Sequence, residues 1–160
     1  TQPAVLGWND DFHSNLIAPG DIEKSFSYMT SALPKIASFY AQGYNGETAF
    51  REIFTNSVQG KTLGPADSPS PFIPLVFLDS LISYKHQALA LGWSDNQGIA
   101  NSLDQKLESV RNALVKNNKT SAKNILQAFV NEVEAQKDKH LSSEAYALLK
   151  FNAEYLISKL

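Results

Sequence analysis

The sequence predicts an all-α fold, in which the C-terminal half forms an antiparallel helical bundle and two or three N-terminal helices pack on it. Three observations lead to this prediction. Apolar residues recur at helical intervals through the C-terminal half. The segments between these stretches are short and carry residues that end and begin helices. The chain has 160 residues, of which 43% are hydrophobic, so it can bury a sizeable core.

The first helix of the predicted C-terminal unit is indicated by one apolar stripe. Its members follow at steps of four, three and four residues: Leu103, Leu107, Val110 and Leu114. Asn117 and Asn118 tolerate the left-handed conformation that ends a helix. Thr120 or Ser121 can then accept a hydrogen bond from the free amides that open the next helix. A short turn between two helices is therefore predicted here.

Two more amphipathic helices follow this turn. The first carries the apolar residues Ile125, Leu126, Phe129, Val130 and Val133. Ser142 or Ser143 is expected to cap the second. Its apolar seam consists of Ala145, Leu148, Leu149, Leu156 and Leu160. Because the connections are short, neighbouring helices are expected to run antiparallel.

One further helix of this kind precedes the unit. Pro74 suits a first helical turn, where a missing amide is tolerated, and Gly92 ends the pattern. Between them, apolar residues lie at helical intervals: Leu75, Leu78, Leu81, Ile82, Ala88 and Leu89. Polar residues interrupt the run well short of the roughly 18 to 20 residues that a membrane span needs. The pattern therefore predicts a largely buried helix and no membrane span.

Five segments between Leu78 and Leu160 carry a resemblance to a known family: LDSLISYKHQALALGW, IANSLDQKLESVRNAL, VKNNKTSAKN, ILQAFVNEVEAQ and LSSEAYALLKFNAEYLI. The stretch resembles the FIMAH family, whose small helical modules lie towards the C-termini of secreted bacterial proteins. The resemblance implies a secreted or surface-attached setting beside varied partner domains, often hydrolases. It transfers no catalytic residue. The polar turn departs from the family pattern by using Asn-Asn where glycine is commoner, and asparagine readily adopts the same geometry.

The N-terminal half predicts two more helices. Asp21 can cap the first, which is expected to be kinked or broken at Pro34 and to end at Gly43. Its apolar residues are Ile22, Phe26, Tyr28, Met29, Leu33, Ile36, Ala37 and Tyr40. A second helical face spans Thr48 to Val58.

A change of composition divides the chain. From Gly60 to Pro74 it is rich in proline, glycine and serine and cannot sustain a helix, so an extended connection is expected. The predicted organisation is an N-terminal helical segment with an irregular lead-in over residues 1–64, a proline-rich connection over 65–74 and a helical bundle over 75–160.

Charge and cysteine content exclude several classes of function. The formal net charge is -2 and the isoelectric point is near 5.9, without a Lys/Arg cluster in the sequence, so neither nucleic acid nor an anionic membrane is expected as a partner. The absence of cysteine excludes disulfides, cysteine nucleophiles and thiolate metal sites. It leaves the cellular compartment open.

Few residues suggest catalysis or metal binding. Asp10, Asp11 and His13 are the only weak metal candidates, because a metal site needs three or four convergent ligands and no further ligand can be named. No metal and no cofactor is therefore predicted. Asp79 and His86 share a helical face but lie two turns apart, which makes a direct hydrogen bond between them unexpected. No serine lies in a nucleophile elbow and no glycine-rich segment matches a phosphate loop.

Aromatic residues near predicted turns are the best argument for ligand binding. The candidates are Trp8, Tyr40, Tyr44, Tyr84 and Trp93. A ring at such a place can stack on a sugar face while its polar atom reaches water. Aromatic side chains beside helix ends also cover the ends of a bundle core, and this interpretation is favoured for Trp93.

These observations favour a non-catalytic accessory module, a spacer or docking surface, within a secreted or cell-surface bacterial protein. Its expected partners are other domains of a larger protein or a surface protein. A carbohydrate-binding or other ligand-binding module that uses exposed aromatic residues is the first alternative, and a small helical enzyme with its site between the two halves is the second. A cytoplasmic location is not excluded.

Overall fold

The computed structural model describes residues 32–41, 58–66 and 71–160. This part of the chain is mostly helical and also contains one two-stranded antiparallel sheet. The elements are β1 (Pro34–Ala41), β2 (Val58–Pro65), α1 (Pro74–Ala90), α2 (Gln97–Val115), α3 (Lys119–Gln136) and α4 (Ser143–Lys159). No helix within residues 71–160 is long and apolar enough to cross a lipid bilayer.

Most helix ends have the local causes that the sequence indicates. Pro74 is the first residue of α1, and Gly92 lies just beyond the end of α1 with a φ of 72°, a conformation that glycine adopts without strain. Asn117 has a φ of 53° in the turn between α2 and α3. The hydroxyl of Ser142 accepts a hydrogen bond from the Ala145 amide at 3.3 Å. The predictions for these four residues are confirmed.

The N-terminal cap of α3 differs from the prediction. Asn118 is the cap residue, and its side-chain oxygen accepts a hydrogen bond from the Ser121 amide at 3.0 Å. Thr120 and Ser121 lie inside the helix. The sequence predicted the Ser121 hydroxyl as a possible acceptor at the start of α3. In the structure, the backbone amide of Ser121 is instead the donor to Asn118. Asn96 caps α2 in the same way, by accepting from the Ile99 amide at 3.1 Å.

The four helices form an antiparallel ring in which each contacts the next and α4 returns to α1. Ion pairs cross three of the four helix interfaces. They are Lys85 with Asp104 and Arg111 with Asp79 between α1 and α2, Lys106 with Glu132 between α2 and α3, and Lys150 with Glu134 between α3 and α4. Each joins the first half or the middle of one helix to a later part of its neighbour, as antiparallel packing requires.

One end of the ring is closed by two turns that bond to each other. We call it the bridged end, formed by residues 91–96 and 137–142. The Ser142 amide donates to the Trp93 carbonyl at 2.9 Å, and the Asp95 amide donates to the His140 carbonyl at 3.2 Å. The imidazole Nδ1 of His140 also lies 2.8 Å from the Asp95 carboxylate. The opposite, open end contains the start of α1, the α2–α3 turn and the end of α4.

The core of the ring is built from the predicted apolar stripes. Side chains with at most 1% of their surface exposed come from all four helices: Leu78, Leu81, Leu103, Leu107, Val110, Leu126, Phe129, Val133, Leu148, Leu149 and Leu156. Leu114, Ile125 and Leu160, which were predicted in the same stripes, are only partly buried. The apolar periodicity therefore predicts the packing face of each helix correctly.

The sheet lies against α4. Leu33, Ile36 and Leu63 are partly buried against the bundle core. The side-chain amide of Asn152, which is 2% exposed, donates to the Pro34 carbonyl at 2.9 Å and to the Leu148 carbonyl at 2.7 Å. A buried polar group requires such partners. This contact fixes the first residue of β1 on α4.

The sheet corrects the all-α prediction. The helix predicted to end at Gly43 is wrong over residues 34–41, which form β1, and Pro34 begins this strand instead of kinking a helix. Val58, the predicted last residue of the second helix, begins β2, and β2 continues into the first part of the expected connection, to Pro65. Residues 32 and 33, which were predicted in the first helix, are also not helical, and the rest of both predicted helices lies outside the described residues. The described fold is a four-helix bundle with a two-stranded sheet on one side.

Candidate functional site

Three titratable side chains, Lys85, His86 and Asp104, meet between α1 and α2. The Lys85 ammonium is 2.5 Å from one carboxylate oxygen of Asp104, and Nε2 of His86 is 3.2 Å from the other. Lys85 is only 3% exposed, whereas the side chain of His86 is 57% exposed. A buried ammonium requires a paired anion, and Asp104 meets that requirement. The arrangement links α1 to α2. The ion pair also engages the Lys85 side chain, which would have to be a free amine to act as a nucleophile.

Ser94 lies beside this set, and its buried hydroxyl has no hydrogen-bond partner among the described residues. It lines a small space together with Lys85, Leu103 and Leu141. That space has no room for a water-sized molecule. It therefore offers no binding pocket, although it brings a serine and a lysine to the same place.

Two of the aromatic candidates lie in the described part of the bundle. Trp93 and Tyr84 are both partly buried and pack against the core. The backbone of Trp93 is held on both sides, since its amide donates to the Ala88 carbonyl at 2.9 Å and its carbonyl accepts from Ser142. A tryptophan that covers the bridged end of the core would be placed as Trp93 is. A ligand-binding role for the two residues stays a prediction.

The other predicted site residues lie in β1 or outside the described residues. Tyr40 belongs to β1, where its backbone pairs with Gln59 and its side chain is not described. Trp8 and Tyr44 lie outside the described residues. The metal candidates Asp10, Asp11 and His13 also lie outside them.

No three histidine, aspartate or glutamate side chains converge as a metal-binding group within residues 32–41, 58–66 and 71–160. Asp79 and His86 take different partners. Asp79 accepts a hydrogen bond from Arg111, and this bond raises the pKa of the guanidinium. His86 faces Asp104. The spacing argument against a direct pair between Asp79 and His86 agrees with this arrangement.

The sequence did not indicate two aromatic clusters that the fold assembles. In the first, the Tyr146 ring lies between the ammonium groups of Lys137, at 4.8 Å, and Lys150, at 5.5 Å. Lys150 also donates to the Glu134 carboxylate at 2.6 Å, and this hydrogen bond, helped by one to the Tyr146 hydroxyl, raises the pKa of the lysine.

The second cluster joins α1 to α4. The Tyr155 ring lies 5.6 Å from the ring of Phe72 and 5.2 Å from that of Phe77. The ring spacings are typical of favourable aromatic packing. Both clusters connect helices, and neither forms a recess.

Unpaired positive charge collects at the open end of the bundle. We define the basic end as Ile73, Val115, Lys116, Lys119, Lys123 and Lys159. Its lysines have no carboxylate partner among the residues that the structure describes. A sequence signal for it exists, since residues 109–131 contain three lysines and an arginine but neither aspartate nor glutamate. This signal is hard to recognise in the sequence, because the basic residues do not form a dense Lys/Arg run.

Comparison with protein families matches residues 79–158, half of the chain, to the FIMAH domain. The matched stretch covers all but the first five residues of α1 and runs to the last turn of α4. It excludes the two-stranded sheet. No curated protein and no solved structure matches the chain significantly.

Proposed function

The chain belongs to the FIMAH domain family, and from this membership we propose that its bundle is a non-catalytic spacer or docking module of a secreted or cell-surface bacterial protein. The family is one of accessory modules without enzymatic activity. The match to that family is the observation that carries the proposal. A secreted or surface location, other domains as partners, and a bacterial source belong to the same proposal.

The contacts of the polar side chains support it. Lys85, Lys106 and Lys150, which are buried or partly buried, each pair with a carboxylate on a neighbouring helix. The charged groups therefore contribute to holding the helices in register. A bundle whose helices are linked in this way suits a module that positions or attaches other domains.

Hydrolase assays on the isolated chain test the non-catalytic part of the proposal. We expect no turnover of glycan, ester or peptide substrates above that of a heat-denatured sample. Turnover that is lost on Lys85→Met or Asp104→Asn, in variants that still unfold cooperatively, would contradict the proposal. It would favour an enzyme whose site is the set between α1 and α2.

A glycan-binding panel tests the alternative of a carbohydrate-binding module. We expect no binding by the full chain. Binding that disappears on Trp93→Ala or Tyr44→Ala and persists on Tyr84→Ala would replace the docking role with ligand recognition.

Metal binding is tested by the melting temperature with Zn²⁺ or Ca²⁺. A metal at about 100 times its dissociation constant would add about 2.7 kcal/mol to the free energy of unfolding. We expect no such shift. A shift that is lost on His13→Ala would establish the metal site at Asp10, Asp11 and His13.

A further inference from the structure

The basic end brings together lysines from separate elements. The α2–α3 turn and the start of α3 supply Lys116, Lys119 and Lys123, and the last turn of α4 supplies Lys159. Antiparallel packing places the end of α4 beside the start of α3, which is why these residues share one end. Lys116, Lys119 and Lys159 are exposed, and Lys123 is partly buried.

The cations of the basic end differ from those along the sides of the bundle. Lys106 and Lys150 lie 2.6 Å from glutamate oxygens, and Arg111 bonds Asp79. In contrast, no carboxylate of the described residues lies within 4.0 Å of a basic-end lysine. The Lys159 ammonium instead lies 5.2 Å over the Tyr155 ring. Within the described residues, the positive charge of this end is thus available to an external partner.

The sequence of α3 keeps this charge where stability alone disfavours it. The first turn of a helix favours acidic side chains, because the helix dipole is positive there. The first turn of α3 begins with Lys119 and, like the first turns of α1 and α2, has no acidic residue. By comparison, α4 carries Glu144 in its first turn and Lys159 in its last, as the dipole favours. A local choice that opposes stability is expected where a surface has another role.

Large apolar side chains lie among these lysines. Val115 is 69% exposed and Ile73 is 50% exposed, the first at the end of α2 and the second just before α1. A soluble polyanion would leave both side chains in water. A lipid bilayer would take up the apolar side chains below its headgroups while the anionic headgroups meet the ammonium groups.

We propose that the basic end binds the surface of an anionic lipid bilayer, with the lysines among the headgroups and Val115 and Ile73 reaching the acyl boundary. The proposal rests on the docking role proposed above and names the partner. The net charge of -2 does not oppose it. Surface charges act over about 8 Å at physiological salt, whereas α1, with 17 residues, is about 25 Å long. The charges of the bridged end therefore lie beyond the reach of the headgroups.

Sedimentation of the full chain with lipid vesicles tests this proposal. The vesicles contain phosphatidylcholine alone or phosphatidylcholine mixed with phosphatidylglycerol, at low and at high sodium chloride. We expect partition onto the mixed vesicles only, and a fall in partition at high salt. Each lysine near an anionic surface raises partition about fivefold, so Lys116→Gln with Lys119→Gln should lower it by about thirtyfold.

Matched variants distinguish this end from other surfaces and lipid from other anions. Lys137→Gln with Lys139→Gln removes the same charge from the bridged end and should leave partition unchanged. Val115→Asn should lower partition onto vesicles without changing retention on immobilised polyphosphate. The exposed positions of these residues allow all variants to fold, which circular dichroism checks.

Three results would overturn the proposal. The first is the absence of partition onto mixed vesicles at low salt. The second is an equal loss of partition in the bridged-end variant. The third is retention on polyphosphate together with vesicle partition that Val115→Asn leaves unchanged, which would assign the end to a soluble polyanion. The hydrolase assays above are independent of all three, so the non-catalytic role and its lipid partner can fail separately.

Discussion

At the scale of single residues, Glu144 couples the start of α4 to pH. It lies in the first turn, where its carboxylate accepts a hydrogen bond from the Ser143 hydroxyl at 3.2 Å. The Ser142 hydroxyl has the largest effect on this group and lowers its pKa below the ordinary 4.5. The ionised form is therefore favoured in the folded state.

We expect this coupling to stabilise the protein above pH 4.5 and to be lost as the pH falls through the lower folded-state pKa. The unfolded chain binds the proton first, which is why acid removes the stabilisation. Glu144→Gln should reduce stability at neutral pH and approach the parent in acid. Urea unfolding from about pH 7 to about pH 3 measures the difference in stability between Glu144→Gln and the parent, with Glu154→Gln as the control. A constant difference between Glu144→Gln and the parent across this range would contradict the assignment.

The site residues show why charged partners are hard to predict from sequence. Lys85 interrupts the apolar stripe of α1, and this pattern does not indicate which carboxylate pairs with it. Its partner Asp104 lies on α2, and only the crossing of the two helices brings them to 2.5 Å. The basic end depends in the same way on elements that meet only in the folded chain. In contrast, the position of Trp93 against the core follows from its place beside a helix end.

At the scale of elements, two substitutions at the start of α3 test which residue caps this helix. Asn118→Ala removes the oxygen that accepts from the Ser121 amide and should cost about 0.5 to 2 kcal/mol. Thr120→Ala is the control. Because Thr120 is exposed within the helix, its substitution should change stability by less than about 0.5 kcal/mol. Chemical denaturation measures both, and an equal or larger cost for Thr120→Ala would restore the cap predicted from sequence.

The helices could be predicted and the strands could not, for a physical reason. In α2, apolar residues lie on one face and polar residues on the others, which leaves one interpretation. In β1, Ile36, Ala37 and Tyr40 also fit helical spacing, and β2 contains Gly60 and Gly64, which favour neither form. The pairing that stabilises these strands is distant in sequence, since Phe39 lies opposite Gly60. Local periodicity does not contain that information.

At the scale of the whole molecule, Leu107 and Phe129 should anchor one core. Both are fully buried, in α2 and α3 respectively. Either residue changed to alanine should lower the free energy of unfolding by about 2 to 5 kcal/mol. Val115→Ala, at an exposed position of α2, should change it by less than about 0.5 kcal/mol. Denaturant midpoints decide this, and small effects at both buried positions would show that the bundle is assembled differently.

The division of the chain leads to a further prediction. Among the residues that the structure describes, the core side chains that are at most 1% exposed all lie between Leu78 and Leu156, and the sheet adds partly buried contacts. A fragment of residues 71–160 should therefore be helical and unfold cooperatively. Its melting temperature should be below that of the full chain, because Asn152 loses the Pro34 carbonyl. Circular dichroism during heating tests this, and a gradual, non-cooperative loss of signal would mean that the sheet completes the core.

The shared open end of α1 and α4 has a mechanical consequence. A load applied between residues 71 and 160 would pull the two helices apart at that end, instead of sliding one along the other. Only packing contacts, beginning with Phe72 on Tyr155, cross this interface in the described structure, because its ion pairs lie elsewhere. The interface between α1 and α4 would separate one helical turn at a time, under low tension. In this geometry the bundle is a compliant joint, and the bridged end is the last part to yield.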